Sequence, residues 1–288
     1  MDLTILCNIA GTLRPIDQTW IHLDEMTENM IPIYLSSELS SLYMGTLFSD
    51  GTFSVCRNSI FQQIYIISKN ITNSTGSRTY SLPICMFLMK KRRKDNYVEI
   101  LKFLKDKYYA KFQVELEIKA FHADAELSFL NAVSEVFPNA NIFLCSVHLI
   151  RCFMKNLKSK VSGIFFNDVD LLPIWRTLTG ALFLPLINPE VLNILKSYLK
   201  KQIKIIGQKD LIKAKKFSDF YSYLRKFYFS ENSPFNPGNY DFYDAIIFEG
   251  NMTTSTNCLE SLNRVLKELS GTGFLPFARV FSLFLTCC

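Results

Sequence analysis

The stretch Lys119-Ala120-Phe121-His122-Ala123-Asp124-Ala125-Glu126-Leu127 decides the fold, because a strand pattern gives way to a helix pattern in its middle. Residues 114–121 have the pattern of a strand, which predicts a strand leading to Asp124. Over residues 125–137, apolar residues recur at helical spacing until Pro138 stops the helix. A strand that leads to an acid and is followed at once by a helix is a building unit of α/β sheets.

The elements around this stretch form a series. Residues 39–48, 61–68 and 80–89 are apolar runs bounded by turn residues, which predicts three closely joined strands. Residues 95–108 carry apolar residues at three- and four-residue steps behind Asp95, a candidate N-cap, which predicts an amphipathic helix. Residues 142–147 have the pattern of a short buried strand and 148–157 that of a helix. The series predicts an α/β fold with a mixed five-stranded sheet flanked by helices.

The rest of the chain is arranged around this core. Residues 1–38 form an N-terminal extension and residues 39–158 form the first part of the α/β core. Residues 159–250 are mostly helical in pattern, which predicts a helical insertion. Residues 251–288 then complete the core with a C-terminal helix at about 255–269.

Three acids at widely separated positions are the candidate catalytic and metal-binding residues: Asp50, Asp124 and Glu260. The first two follow predicted strands that we expect to be neighbours in the sheet, and the third lies on the C-terminal helix. Converging carboxylates with no base between them suit hard divalent cations, so we expect Mg²⁺ or Mn²⁺. Two such ions can hold the oxygens of an in-line phosphoryl displacement. The predicted function is therefore nucleic-acid strand chemistry.

Each acid also has a structural interpretation. Asp50 precedes a glycine, as turn acids often do. Asp124 suits the N-cap of the helix after it, and Glu126 is its nearest rival as a ligand. Glu260 also fits a solvated helix acid that pairs with Arg264 at i+4.

Four further residues are candidates for supporting roles: His148, Cys145, Asn257 and His122. Cys145-x-x-His148 lacks the additional ligands that a structural zinc site needs, which leaves core packing or an orienting or DNA-contacting role. Asn257 precedes the third acid by three residues and shares its helix face as a hydrogen-bonding residue. His122 lies two residues before the second acid, where it either holds a metal-bound water or is a polar bystander.

The charge of the chain is compatible with a polyanionic partner, since the formal net charge is +6 and the pI is near 8.8. Residues 90–94, Lys-Lys-Arg-Arg-Lys, are typical of a nuclear-localisation segment, a phosphate-contacting segment or a solvated loop. The lysine-rich residues 200–216 predict either one side of a DNA groove or an outward helix face. The sequence lacks an 18-residue apolar window and paired Cys-x-x-Cys spacing, so we expect no membrane span and a reducing compartment.

The ordered motifs resemble the core of Mutator-like element (MULE) transposases of the DDE superfamily. The resemblance is carried by Asp124-Ala125-Glu126, by Ala132-Val133-x-x-Val136-Phe137-Pro138-Asn139-Ala140 and by Cys145-x-x-His148. Asp50-Gly51-Thr52-Phe53 with Gln62-Gln63-Ile64-Tyr65 resembles the first catalytic motif of that family. Residues 256–263, Thr-Asn-Cys-Leu-Glu-Ser-Leu-Asn, resemble its last.

The resemblance implies a ribonuclease H-like fold with a helical insertion before the last acid, and Asp50, Asp124 and Glu260 as the DDE triad. It implies DNA as the partner, in the nucleus, with two Mg²⁺ ions cutting transposon ends and transferring strands. Homo-oligomerisation stays open. Neither flank of the triad carries a Cys/His cluster, so we expect the zinc-binding DNA-recognition modules to be absent from this chain. The alternatives are a transposase-derived DNA-binding or regulatory protein without catalysis, and a ribonuclease H-like nuclease.

Overall fold

The computed structural model describes residues 21–23, 30–35, 37–53, 61–72, 79–160, 168–233, 235 and 264. The chain divides into two compact units, one of Met1–Asn141 with Thr256–Cys288 and one of Ile142–Ser255. We call the first the sheet unit and the second the helical unit. The division falls within a strand, and each unit is described by itself.

The sheet has seven strands: β1 (Ile21–Leu23), β2 (Met30–Leu35), β3 (Thr46–Thr52), β4 (Gln63–Thr72), β5 (Thr79–Met89), β6 (Ala120–Ala123) and β7 (Asn141–Leu144). Their order across the sheet is β1-β2-β5-β4-β3-β6-β7. The pairs from β1 to β3 are antiparallel, whereas β3 and β6 are parallel. The sheet is therefore mixed, and β3 lies at the boundary between the two pairing modes.

Two helices cover one face of this sheet, α1 (Lys94–Phe112) and α2 (Leu127–Val136). Tyr65 of β4 packs edge-on against Tyr97 of α1, and Phe121 of β6 packs edge-on against Phe129 of α2. Burying such aromatic side chains supplies much of the hydrophobic stabilisation of a core. Strand alternation then places Gly51, which is paired with Tyr65, on the helix-covered face and Asp50 on the opposite face.

The α/β class and the mixed open sheet of five predicted strands are confirmed, and two further strands extend that sheet. The five predicted strands are present as β3 to β7, and β1 and β2 extend the sheet beyond β5. Both extra strands come from residues 1–38, which the sequence pattern assigns to an extension. Their pairing depends on the contact of β2 with β5, whose partners are more than 50 residues apart, and no local pattern reports that contact.

Two predicted strands begin six or seven residues later in the structure than in the sequence pattern, at Thr46 and not 39, and at Ala120 and not 114. The strand predicted for residues 39–48 is replaced in its first part by the end of a 3₁₀-helix, Ser37–Leu42, and β3 begins at Thr46. Leu39 and Leu42 lie three residues apart, so one helical turn buries both side chains. Residues 114–119 are irregular and β6 begins at Ala120. A short apolar run cannot distinguish a strand from a helical turn by periodicity alone.

The helical unit contains α3 (Ser146–Lys160), α4 (Leu171–Ala181), α5 (Pro189–Lys209) and α6 (Leu211–Phe227). Asn188 caps α5 by accepting a hydrogen bond from the Glu190 amide (2.9 Å), and Asp210 caps α6 through the Lys213 amide (2.9 Å). Asp210 also ends α5, so α5 and α6 form a helical hairpin. Within the described ranges, each helix is too short or too polar to span a bilayer.

Candidate functional site

The parallel pairing of β3 with β6 brings two of the predicted acids to adjacent positions. Phe48 pairs with His122 and Ser49 with Ala123, and Asp50 and Asp124 are the residues that follow this last pair. Neighbouring strands lie about 4.8 Å apart, so continuing the register by one residue would set the two acids at the spacing of a shared ion site. These residues are 74 positions apart in sequence, and the fold pairs the strand that carries one with the strand that leads to the other.

Asp50 lies inside β3 and not in the turn that its glycine neighbour predicted. Its side chain is 5% exposed, and its Oδ1 accepts a hydrogen bond from the Gly51 amide at 2.9 Å. Gly51 is needed for space, since a Cβ there would lie 2.6 Å from Gln63 Oε1 and 3.4 Å from the Tyr65 ring. A buried carboxylate in a central strand is costly unless its charge is compensated, so it is a candidate functional group.

Asp124 follows β6 directly and does not cap α2. The helix begins two residues later than predicted, at Leu127, and Glu126 occupies the N-cap position without a side-chain capping hydrogen bond. The negative charge of Asp124 acts on Tyr65, whose pKa is raised first by burial and then by Tyr97 and Asp124. The backbone of Asp124 belongs to the turn between β6 and α2.

Glu126, the rival of Asp124, is held by side chains from α1 and the segment before it. Arg92 Nε and Nη2 lie 3.2 and 3.1 Å from its two carboxylate oxygens, and Tyr97 donates a hydrogen bond to Oε1 at 2.8 Å. Gln63 Nε2 donates in turn to the Tyr97 hydroxyl at 2.7 Å. A paired carboxylate of this kind is a poor cation ligand, since Arg92 already balances its charge. The geometry favours Asp124 over Glu126 as the ligand at this edge.

Burial and the Glu126 charge both raise the pKa of Tyr97, so that its hydroxyl is protonated and donates throughout the physiological range. Sequence reasoning missed this network because Arg92 and Tyr97 are 34 and 29 residues from Glu126. Arg92 also lies in a basic run, residues 90–94, whose functional interpretations were nuclear localisation or phosphate contact.

The supporting residues fall into two groups. His122 is fully buried and its ring stacks on Phe48 at 4.8 Å with an 8° angle, which favours the packing interpretation over a metal-bound water. In the helical unit, Cys145 is fully buried and its carbonyl accepts the Leu149 amide of α3 at 3.0 Å. His148 lies in the first turn of α3 and is half-buried. The orienting role predicted for His148 stays a prediction.

Glu260, the third acid of the predicted triad, and Asn257 lie outside the described residues. Among the residues that the structure describes, no three His, Cys, Asp or Glu side chains cluster closely enough to hold a metal ion. The pair Asp50 and Asp124 nevertheless fits a hard divalent cation by chemistry, because both donate carboxylate oxygens from one sheet edge.

The two basic segments differ in how much of their charge is already paired. In residues 90–94, Arg92 pairs with Glu126 and stacks 4.4 Å over the Phe53 ring, and Lys94 pairs with Glu135 at 2.7 Å. The α5–α6 hairpin, residues 189–227, holds ten Lys and Arg against three acids, a net charge of +7 where the whole chain carries +6. The hairpin therefore accounts for the entire positive excess.

No protein-family model matches this chain, and no curated protein matches it. The resemblance to MULE transposases therefore rests on the ordered motifs alone, and family membership stays a prediction.

Proposed function

We propose that this protein is a DDE-type transposase catalytic domain, which cuts and joins DNA phosphodiesters with the help of divalent metal ions. The observation that supports the proposal is the parallel pairing of β3, which carries Asp50, with β6, which leads to Asp124. These acids come from separate motifs, and a fold without a shared site has no need to bring them together. Glu260 completes the proposed triad.

The strand series supports the finer proposal of a ribonuclease H-like core. The first three of the five predicted strands form an antiparallel meander, and the fourth pairs in parallel with the first. That arrangement makes the first and fourth strands neighbours at the centre, as a ribonuclease H-like core requires. The helical unit supplies the insertion before the last acid.

The residues of this chain have separate tasks in the proposed reaction. Two bound Mg²⁺ ions would activate the attacking oxygen and stabilise the leaving 3′-oxygen. Asp50 presents its carboxylate from a rigid central strand, with Oδ1 oriented by the Gly51 amide. Asp124 presents the second carboxylate from the end of the neighbouring strand. Placing ligands on paired strands fixes their separation, which is what in-line phosphoryl transfer needs.

The α5–α6 hairpin supports a nucleic-acid substrate. Lys200, Lys201 and Lys204 are exposed on α5, and Lys215 and Lys216 are exposed on α6. A single-sign surface of this kind attracts the phosphate backbone and makes binding depend on salt. We propose that this hairpin contacts DNA. Nuclear localisation through residues 90–94 is part of the same proposal.

The catalytic proposal is tested by incubating the full chain with supercoiled plasmid and either Mg²⁺ or Mn²⁺. We expect strand cleavage that is lost on chelation and falls about 10³-fold in Asp124→Asn, since a metal contributes several kcal/mol to the transition state. The matched control is Asp106→Asn, an exposed acid on α1. Equal cleavage by Asp124→Asn and wild type would remove the catalytic role, and DNA binding without cleavage would favour the regulatory alternative.

The hairpin is tested by a triple change, Lys200→Ala with Lys201→Ala and Lys204→Ala. We expect weaker DNA binding and a salt dependence whose slope shrinks by about 0.9 for each phosphate that the variant no longer neutralises. Lys209→Ala is the control, because that ammonium already pairs with Asp170 at 3.0 Å. An unchanged slope in the triple variant would show that DNA binds elsewhere.

A further inference from the structure

We infer that Glu126 is a positioning residue for Asp124, and that Arg92 and Tyr97 hold it in that role. The inference rests on the proposed function, because it concerns how the metal-binding acid is kept in place. Its basis is a chain of contacts that links the segments carrying both Asp50 and Asp124.

The first link is the backbone of the turn between β6 and α2. The Glu126 amide donates to the Asp124 carbonyl at 2.8 Å, and the Glu126 carbonyl accepts the Phe129 and Leu130 amides of α2 at 3.0 and 3.1 Å. Glu126 therefore joins the acid on one side to the start of the helix on the other. Any displacement of Glu126 moves the backbone of Asp124.

The second link is the Glu126 carboxylate itself. Arg92 binds both oxygens, and the Tyr97 hydroxyl binds Oε1, so two other elements fix this side chain. The Glu126 side chain is 9% exposed and that of Arg92 is 43% exposed, so the carboxylate end of the pair is the shielded one. A carboxylate that accepts several charge-assisted and neutral hydrogen bonds is held in one orientation. The carboxylate has no comparable freedom to turn towards a cation, which separates its role from that of Asp124.

The third link reaches the strand that carries Asp50. The Arg92 guanidinium lies 4.4 Å over the Phe53 ring, and Phe53 follows β3 directly. Gln63, which hydrogen-bonds to Tyr97, also limits the space beside Gly51. The same network therefore contacts both acid-bearing segments from the helix-covered side of the sheet, and it sets their relative position.

The variant Glu126→Gln tests this role, because it keeps the size of the side chain and removes the charge that Arg92 holds. The matched control is Glu135→Gln. Glu135 of α2 pairs with Lys94 of α1 at 2.7 Å, but the side chains of Glu135 and Lys94 are both about half exposed. Tyr97→Phe is a second variant, which removes the hydrogen bond donated to Glu126 and the one accepted from Gln63, and leaves the packing of the ring. Circular dichroism checks that each variant is folded.

Two readouts are measured on the full chain. Hydrogen exchange of the peptide covering residues 120–127 should be faster in Glu126→Gln and Tyr97→Phe and unchanged in Glu135→Gln. The Mn²⁺ concentration for half-maximal binding, followed by the electron paramagnetic resonance of free Mn²⁺, should rise about tenfold or more in Glu126→Gln, the usual effect of losing a residue that orients a ligand. The double variant Arg92→Gln with Glu126→Gln should exchange no faster and bind Mn²⁺ no more weakly than Glu126→Gln alone.

Two results would overturn the inference. One is that Glu126→Gln matches Glu135→Gln in hydrogen exchange and in Mn²⁺ binding. The other is that Glu126→Gln abolishes Mn²⁺ binding as completely as Asp124→Asn, which would make Glu126 a ligand. If the wild type binds no Mn²⁺, the proposed function fails, while hydrogen exchange still decides whether Glu126 holds the turn.

Discussion

Among the described residues, the sheet unit and the helical unit differ in how many polar side chains they bury. Among the described residues, the sheet unit buries Ser49, Asp50, Thr52, Gln63, Ser68, Asn96 and His122, whereas the helical unit buries Ser146 and Ser233. Leaving a buried polar group unsatisfied costs about 1–3 kcal/mol, so a core that keeps many of them gives up stability. Among its described residues the helical unit buries no charged side chain, and most of the charged residues in its sequence are positive.

This difference fits the proposed function, in which the sheet unit carries the chemistry and the helical unit contacts DNA. Polar side chains buried in an otherwise apolar core are found mainly at functional sites. Four of these buried polar groups, Ser49, Asp50, Thr52 and His122, lie on β3 and β6, whereas the helical unit carries an excess of positive charge. We therefore expect substitutions in the sheet unit to separate activity from stability, and substitutions in the helical unit to change stability in the ordinary way.

The largest expected effect comes from Asp50→Asn. Cleavage should fall about 10³-fold, because a metal-binding oxygen is lost. Stability should stay within about 0.5 kcal/mol or increase, since the change removes a buried charge and keeps the acceptor of the Gly51 amide. Urea unfolding and plasmid cleavage are measured on the same preparation, with Asp106→Asn as the control. A clear loss of stability with full activity would contradict the division between the units.

A second prediction makes the same substitution in each unit and expects opposite signs. Gly51→Ala should destabilise by about 1–3 kcal/mol, because the new methyl group overlaps the buried Gln63 side chain. Gly180→Ala should stabilise by about 0.5–1 kcal/mol, since alanine is the better helix former and nothing lies within 4 Å of its Cβ. Urea unfolding of both variants measures the difference. Equal effects in the two units would show that space around Gly51 is not limiting.

The smallest expected effect concerns Lys213, which lies 2.6 Å from Asp168 and 3.4 Å from Asp170 in the helical unit. Burial raises the Asp168 pKa, but the Lys213 hydrogen bond and two backbone amides outweigh it, so the pKa is lowered; Lys209 chiefly lowers that of Asp170. Carboxyl groups with a depressed folded-state pKa stabilise the protein above the unfolded value of about 3.9, and this contribution is lost as pH falls through the folded value.

Lys213→Met should therefore cost up to about 1 kcal/mol at pH 7, a limit set by solvent screening of these partly exposed groups. The gap between variant and wild type should narrow as the pH drops below about 4. Urea unfolding at pH 7 and pH 3 measures it, with Lys204→Met as the control for an exposed lysine. A gap that is the same at both pH values would mean that Lys213 acts through packing.

Local patterns predicted the elements that depend on local sequence. The helix at 95–108 and the strands at 61–68 and 80–89 correspond to α1, β4 and β5, because their periodicity extends over enough residues. The pairing of the first predicted strand with the fourth, β3 with β6, followed from the order of the strands. The Arg92–Glu126 pair could not be predicted, since an ion pair 34 residues apart leaves no periodic signal. The cap of α2 was misplaced for a similar reason, because Glu126 is fixed by tertiary contacts.

The parallel pairing of β3 with β6 also has a kinetic consequence. The antiparallel pairs β3–β4 and β4–β5 connect neighbours in the chain and can form early, whereas Thr46 must find Ala120, 74 residues away, before the two acids are adjacent. Closing so long a loop delays the contact, because its entropy cost precedes any gain from pairing. During synthesis, the meander can assemble before β6 leaves the ribosome. The chain can therefore be largely folded on one side and still lack the pairing of the two strands next to Asp50 and Asp124.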